Sequence, residues 1–169
     1  LKLFREFGDR LNELRVLKDI GAAEQAQGRL AAAEQRYDEA LSLSNQIGAT
    51  REAASTLNNL GAIRSLNGDL RGAQNRYQEA LSLYTKIGEK RLTALALTNL
   101  GEVLFARGDL KKSLDSHEES LGINRQLGDI SGGAYDKYRI AEVLAQNGDL
   151  RAAESGYRES IKEQTEAGV

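Results

Sequence analysis

The sequence predicts an all-helical solenoid of stacked antiparallel helix pairs, and an internal repeat is the first observation behind this prediction. The segment NGDLRGAQNRY at 67–77 recurs as RGDLKKSLDSH at 107–117 and as NGDLRAAESGY at 147–157, with a weaker copy, QGRLAAAEQRY, at 27–37. The spacing is forty residues each time. Such a period is typical of proteins that stack one small structural unit several times.

Residues at helical spacing within each repeat are the second observation. The positions i, i+3, i+4 and i+7 are occupied in the first half of one repeat by Leu57, Leu60, Gly61 and Arg64. A similar run occupies the second half, at Leu70, Ala73, Tyr77, Ala80 and Leu81. This spacing predicts two helices per repeat. Because an amphipathic helix pair cannot bury its apolar face alone, successive pairs must stack.

The placement of glycine, and the absence of proline, is the third observation. Gly68 separates the two helices of a repeat, where a helix end favours a residue that tolerates a positive φ. Asp69 follows in a position to accept hydrogen bonds from the first amides of the next helix. The second helices are expected to end at Gly8, Gly48, Gly88, Gly128 and Gly168. With no proline in the chain, no helix interior is interrupted.

These signals predict the bounds of the helices and of the repeats. The predicted helices cover residues 10–26, 30–47, 50–66, 70–87, 90–106, 110–127, 131–146 and 150–167. Residues 1–7 are expected to end an earlier second helix, and the weak helix formers Gly132 and Gly133 predict a loose loop or a slight hinge. We expect one array excised from a longer protein, with the end of a preceding repeat at 1–13 and four repeats at 14–53, 54–93, 94–133 and 134–169.

Composition limits the classes of partner. The chain carries 23 Lys and Arg residues against 25 Asp and Glu, which gives a net charge of −2. It therefore lacks a strong positive field that would attract nucleic acids or anionic lipids. There is no cysteine for a disulfide or a thiolate metal site. No apolar run approaches the ~18 residues of a membrane span, and the first residues lack a secretory apolar region. We therefore expect a cytoplasmic protein that binds neither nucleic acid nor membrane.

The sequence offers no catalytic, cofactor or metal site. Its one histidine, His117, occupies the position that Tyr37 and Tyr77 occupy in other repeats, so packing is its expected role. Ser113 and Asp115 lie nearby on the same polar helix without the fixed geometry of a catalytic triad. The seventeen glycines form neither GxxxxGK nor GxGxxG, the phosphate-binding motifs. The prediction is a protein without enzymatic activity, cofactor or metal.

The repeat resembles the tetratricopeptide repeat over essentially the whole chain. The resemblance rests on Leu-x-x-Leu-Gly, then Gly-Asp-Leu, Ala-x-x-x-Tyr and Ala-Leu, which are Leu57, Leu60, Gly61, Gly68, Ala73, Tyr77, Ala80 and Leu81. The period of forty, rather than about 34, is similar to the longer repeats of spindle-orientation scaffolds, kinesin light chains and bacterial multidomain regulators. The resemblance implies a right-handed superhelix.

It also implies a function, because members of this family typically bind a peptide in the groove that the first helix of each pair lines. We therefore expect a non-catalytic scaffold that binds a protein or peptide ligand. The residues predicted to line its groove are Asn59, Leu95, Thr98, Asn99, Glu102, Phe105, Tyr135, Tyr138, Arg139 and Glu142. Aromatic side chains beside hydrogen-bonding groups are typical of protein interfaces.

A different class of function stays open at this point. The array could bind its own chain, by self-association through exposed terminal repeats into a homo-oligomer, or by docking on an attached catalytic or DNA-binding domain to regulate it. A third interpretation is a switch in which a short peptide signal closes the superhelix.

Overall fold

The computed structural model describes residues 1–6 and 8–166, and within them the chain is helical, with no strand. The helices are α1 (Lys2–Glu6), α2 (Arg10–Ala26), α3 (Leu30–Gln46), α4 (Thr50–Leu66), α5 (Leu70–Ile87), α6 (Lys90–Ala106), α7 (Leu110–Leu127), α8 (Ile130–Gln146) and α9 (Leu150–Glu166). The bounds of α2 to α9 agree with the prediction to within one residue, and α1 confirms that the first residues belong to a helix. None of the described helices is long and apolar enough to cross a membrane.

The helix ends confirm the roles expected of glycine and aspartate. Gly68 has φ of +79° and Gly88 has φ of +74°, both in the left-handed region that favours glycine. The Asp69 side chain accepts a hydrogen bond of 2.9 Å from the backbone amide of Gly72. That bond, followed by one from Arg64, lowers the pKa of Asp69. Gly168, the last of the predicted helix-ending glycines, lies outside the described residues.

The prediction of a loose loop at Gly132 and Gly133 is wrong, because both residues lie in the first turn of α8. The Asp129 carboxylate accepts a hydrogen bond of 2.9 Å from the Gly132 amide and so caps this helix. A side chain on Gly132 would place its Cβ 2.9 Å from Nδ2 of Asn124. A larger residue here would therefore displace the Asn124 amide, and the cap offsets the weak helix propensity of glycine.

The chain divides into two compact units, Leu1–Ile87 and Gly88–Val169. In the first unit α2 packs on α3, α3 on α4, and α4 on α5. In the second unit α6 packs on α7, α7 on α8, and α8 on α9, while α6 also contacts α8. Within each unit, helix pairs thus stack in sequence order, as expected of a solenoid.

In three of the helix pairs a glycine of the first helix faces a ring of the second helix, which is a tyrosine in two pairs and His117 in the third. An added Cβ on Gly61 would lie 2.7 Å from Cε1 of Tyr77, and one on Gly21 would lie 2.9 Å from the same atom of Tyr37. The last pair departs from this pattern, because Ala141 occupies the position that glycine occupies in the other pairs. The ring of Tyr157 is only half-buried there. In the other pairs, glycine therefore allows the ring to lie directly against the backbone of the first helix.

The core of the second unit contains a buried polar cluster. Asp136 and His117 are each 0% exposed, and the Asp136 carboxylate accepts hydrogen bonds from Thr98 (3.0 Å) and from Asn124 (2.8 Å). His117 Nδ1 lies 3.7 Å from Asp136 Oδ1, and neither ring nitrogen has a hydrogen-bond partner among the described residues. The burial of His117 fits the packing role expected from the sequence. Polar bonds have thus replaced part of the alanine and tyrosine packing that the other repeats use.

Candidate functional site

A cavity of about 530 Å³ lies on the first helices of the second unit. It opens between α6 and α8, and the end of α7 closes one side. Its lining consists of Arg91, Leu92, Leu95, Thr98, Asn99, Glu102, Asn124, Asp129, Ser131, Gly132 and Tyr135. Two large apolar side chains are exposed there, Leu95 at 47% and Tyr135 at 42%. A cavity of this size with apolar walls and polar groups at its edge can accept a side chain of a bound peptide.

Helical periodicity brings the predicted residues together. Leu95, Asn99 and Glu102 stand at i, i+4 and i+7 of α6 and therefore share one side of that helix. Tyr135 belongs to α8 and faces them, because its hydroxyl donates a hydrogen bond of 2.5 Å to Glu102 Oε1. This interhelical bond fixes the far end of the tyrosine ring at the edge of the cavity.

Charged groups beside the cavity are paired with one another. Arg139 Nη1 lies 2.6 Å from Glu142 Oε2, and Arg139 Nε lies 3.7 Å from Glu102 Oε1. The guanidinium carbon also lies 5.8 Å from the ring centroid of Phe105, a cation–π distance. Arg139 therefore holds both carboxylates, and its own donors are largely engaged within the groove.

Tyr138 lies next to the cavity and does not line it. Its ring centroid is 5.5 Å from that of Tyr157 on α9, and its hydroxyl donates a 3.2 Å hydrogen bond to Glu142. The ring is nevertheless 41% exposed. Tyr138 thus extends the exposed aromatic surface towards α9.

Two of the predicted residues have other contacts. The Thr98 hydroxyl lies within hydrogen-bonding distance of Asp136, Ser120 and the Ala94 carbonyl, so this residue joins the cavity wall to the buried polar cluster. Asn59 belongs to the first unit. A hydrogen bond from its side chain partly offsets the rise that burial causes in the pKa of Tyr37. Asn59 is therefore tied to the core of its own unit.

The lining also includes residues that the sequence analysis missed. Arg91 and Leu92 come from the first turn of α6, and Asn124 comes from α7. The prediction considered only residues in the middle of the first helices. It therefore left out residues at a helix end, such as Arg91, and residues of a second helix, such as Asn124. Arg91 and Asp129 form an ion pair of 3.1 Å. The signal for this contact was a pair of opposite charges whose separation of 38 residues is close to the repeat period.

The Tyr135 phenol provides a test of this geometry. Burial, followed by the hydrogen bond to Glu102, raises the pKa of Tyr135 to about 12. We expect Glu102→Gln to lower this pKa towards the usual value of about 10, as followed by the Cζ chemical shift of Tyr135 in an NMR pH titration. Because the folded-state pKa is the higher one, this phenol stabilises the fold fully below about pH 10, and the contribution is lost as the pH rises towards 12.

Glu142→Gln is the matched control for that titration. Glu142 is the first cause of the raised pKa of Tyr138, whereas it contributes least to the raised pKa of Tyr135. The control should therefore lower the pKa of Tyr138 more than that of Tyr135. If Glu102→Gln leaves the pKa of Tyr135 unchanged, the hydrogen bond between the two helices is not formed in solution.

A comparison with known protein families gives a match in the middle of the chain. The profile described as tetratricopeptide repeat matches residues 52–126. These residues belong to the tetratricopeptide repeat family. Tetratricopeptide repeats generally mediate protein–protein interactions. No curated protein matches the chain.

A solved structure shows the same fold over most of the chain. The crystal structure of BtubC (BKLC) from P. vanneervenii matches with a TM-score of 0.85 and 21% sequence identity. The match covers 92% of this chain and 64% of BtubC, so this chain spans less than two thirds of the length of that protein. At this identity the comparison concerns the tetratricopeptide repeat fold alone.

Proposed function

We propose that this chain is a non-catalytic scaffold that binds a protein or peptide ligand in the groove between α6 and α8. One observation carries the proposal, namely the cavity of about 530 Å³ with Leu95 and Tyr135 exposed on its walls. Large apolar side chains beside a cavity are favourable to bury, and they act as anchoring sites in interfaces. The interactions that tetratricopeptide repeats generally mediate also support it.

The contacts around the cavity support a ligand with an apolar anchor residue. Leu95 and Tyr135 would contact this anchor, while Asn99 and Glu102 at the edge would hydrogen-bond the backbone next to it. Because Arg139 holds Glu102 and Glu142 in place, the edge is ordered before the ligand arrives. Such preorganisation reduces the entropy lost on binding. A cytoplasmic location stays a prediction.

The aromatic and charged surface next to the cavity gives one prediction. We expect the double variant Tyr138→Ala, Arg139→Ala to bind its ligand tenfold or more weakly, because the exposed ring and the residue that orders both carboxylates are removed. Peptides selected from a random library on the immobilised wild-type chain would serve as ligands, and calorimetry would measure their affinity.

Arg71→Ala is the control, since Arg71 is an exposed arginine of the first unit. This variant should keep the wild-type affinity. Thermal unfolding followed by circular dichroism should confirm that the double variant is folded. Unchanged affinity of the selected peptides for a folded double variant would contradict the proposed groove.

The alternative function is self-association or docking on an attached domain, and the cavity favours neither of these two. The alternative stays a prediction. Light scattering at several concentrations would measure self-association directly.

A further inference from the structure

A cavity of about 370 Å³, here named the α7–α9 cavity, lies in the second unit where α7 and α9 flank α8. Its lining consists of Glu118, Leu121, Arg125, Lys137, Ile140, Gly156 and Glu159. None of these residues lines the cavity between α6 and α8. Leu121 and Ile140 provide apolar surface, while Glu118 on α7 and Glu159 on α9 place a carboxylate on each flanking helix. Such a site can accept a side chain that is apolar along its length and cationic at its end.

Glu159 lacks the arginine that accompanies its counterparts in the first unit. These counterparts form ion pairs with the residue three positions earlier, at N–O distances of 2.6 Å for Arg36–Glu39 and 3.2 Å for Arg76–Glu79. On α9, Gly156 stands at the position of the two arginines. The carboxylate is therefore kept without its arginine, and the glycine that replaces the arginine lines the α7–α9 cavity.

Lys137 neutralises Glu159 only in part. Its Nζ lies 2.6 Å from Oε1 of Glu163 but 3.3 Å from Oε2 of Glu159, and the Glu159 side chain is 58% exposed. Other first helices carry a buried leucine at the position of Lys137, namely Leu17, Leu57 and Leu97. A leucine would avoid the cost of desolvating an ammonium group, and departures of this kind from apolar packing are expected at functional sites.

We propose that the α7–α9 cavity binds an arginine side chain of a partner protein, in the place of the arginine that α9 lacks. The guanidinium would pair with Glu159 and Glu118, one on each flanking helix. Its aliphatic stem would lie against Leu121 and Ile140. Arginine suits two carboxylates on different helices better than lysine does, because its donors form a fixed planar fork.

The other charges of the lining leave these two carboxylates open to a ligand. Arg125 follows Glu118 by seven residues on α7, which corresponds to about 10 Å along the helix axis. Lys137 is held mainly by Glu163. An acidic ligand side chain would meet two carboxylates that repel it, so charge favours a basic one. This site is separate from the groove between α6 and α8, and the inference does not rest on the proposed function.

The tripeptide acetyl-Arg-Ala-Leu-amide is a suitable probe, titrated into the isotope-labelled chain and followed by NMR. We expect saturable shifts of the backbone amide signals of Leu121, Ile140 and Gly156. The same peptide with glutamate in place of arginine is similar in size and opposite in charge. It should bind at least about tenfold more weakly, because the two carboxylates repel it.

Removal of both carboxylates tests their role. The double variant Glu118→Gln, Glu159→Gln should bind the arginine peptide at least about tenfold more weakly, because two charge-assisted hydrogen bonds are lost. The double variant Glu79→Gln, Glu119→Gln is the matched control. Both of its glutamates are exposed counterparts of Glu159 that do not line this cavity, and the change in net charge is the same. The control should keep the wild-type affinity.

An arginine placed on α9 itself gives a second test. An added Cβ on Gly156 would lie 3.0 Å from Cβ of Ala141, so Gly156→Arg is combined with Ala141→Gly. This double variant carries the same residues that the first unit has at Gly61 and Arg76. Its new arginine should pair with Glu159 and weaken binding of the probe at least about tenfold, since an intramolecular cation competes at high effective concentration. Ala141→Gly alone should keep the wild-type affinity.

Circular dichroism would confirm that each variant is folded, and the glutamine variants decide the question if the arginine variant is not. The proposal is overturned if the probe gives no saturable shifts, if the glutamate peptide binds equally well, or if the Glu118→Gln, Glu159→Gln variant binds like its control. Wild-type affinity of a folded Ala141→Gly, Gly156→Arg variant would also overturn it. Shifts confined to the groove between α6 and α8 would do the same. The groove proposal is tested with other ligands and variants, so the two proposals can fail independently.

Discussion

Replacing Gly61 with valine should lower the free energy of unfolding by about 3 kcal/mol, the upper range for overpacking a core. A Cβ at this position would lie 2.7 Å from Cε1, 2.8 Å from Cδ1 and 2.9 Å from Cζ of the Tyr77 ring. Tyr77 is 4% exposed, so its ring cannot move aside without separating α4 from α5. The substitution would improve the intrinsic helix propensity of this residue by less than about 1 kcal/mol. The loss from the steric clash is therefore larger than the gain from helix propensity.

Urea unfolding followed by circular dichroism would measure this loss, and Gly122 provides the control. Gly122 lies inside α7, and an added Cβ would meet no atom within 4 Å. Gly122→Ala should therefore raise the free energy of unfolding by up to about 1 kcal/mol, through helix propensity alone. If both substitutions changed stability in the same direction, the contact between glycine and tyrosine would not limit the spacing of the helices.

Asp136→Ala should lower the free energy of unfolding by about 3 kcal/mol, since it removes the acceptor of two hydrogen bonds in a buried cluster and leaves a void. Asn124 Nδ2 loses its 2.8 Å acceptor and Thr98 loses its 3.0 Å acceptor. Ser120 can still accept from Thr98, at 3.0 Å, so the loss at Thr98 is partial. The truncation also leaves a void beside His117, which is fully buried.

Asp115→Ala is the control for this substitution, because Asp115 is exposed on α7. It should change the free energy of unfolding by no more than about 0.5 kcal/mol. Urea unfolding would again provide the measurement. Equal effects of the two alanine substitutions would mean that the carboxylate of Asp136 does not organise the polar cluster.

The helices were predictable because their signals are local and recur. The helix stop at Gly68 and the cap at Asp69 depend on residues within one turn of each other, and the stop recurs at Gly28, Gly108 and Gly148. Gly132 and Gly133 were misjudged because helix propensity was considered alone. The side chain that limits the space beside Gly132, Asn124, lies on the preceding helix, and no local pattern reveals that contact.

The candidate site was predictable only in part, for the same physical reason. The spacing of Leu95, Asn99 and Glu102 on one helix places them on one face, and five of the predicted groove residues line the cavity. The ion pairs of Arg139 and the ring contact of Tyr138 depend on which rotamers are adopted. The repeat register indicated that His117 stands in a tyrosine position, but it did not reveal that Asp136 lies beside it.

Within each unit, the helices that pack together are neighbours or near neighbours along the chain. Each contact therefore closes a short loop, and the entropy of closing a loop rises with its length. Chains with such low contact order fold fast, and their transition states require no ordering of distant segments. We expect a substitution in one helix pair, such as Gly61→Val, to change the unfolding rate of its own unit and to leave nucleation in other pairs intact.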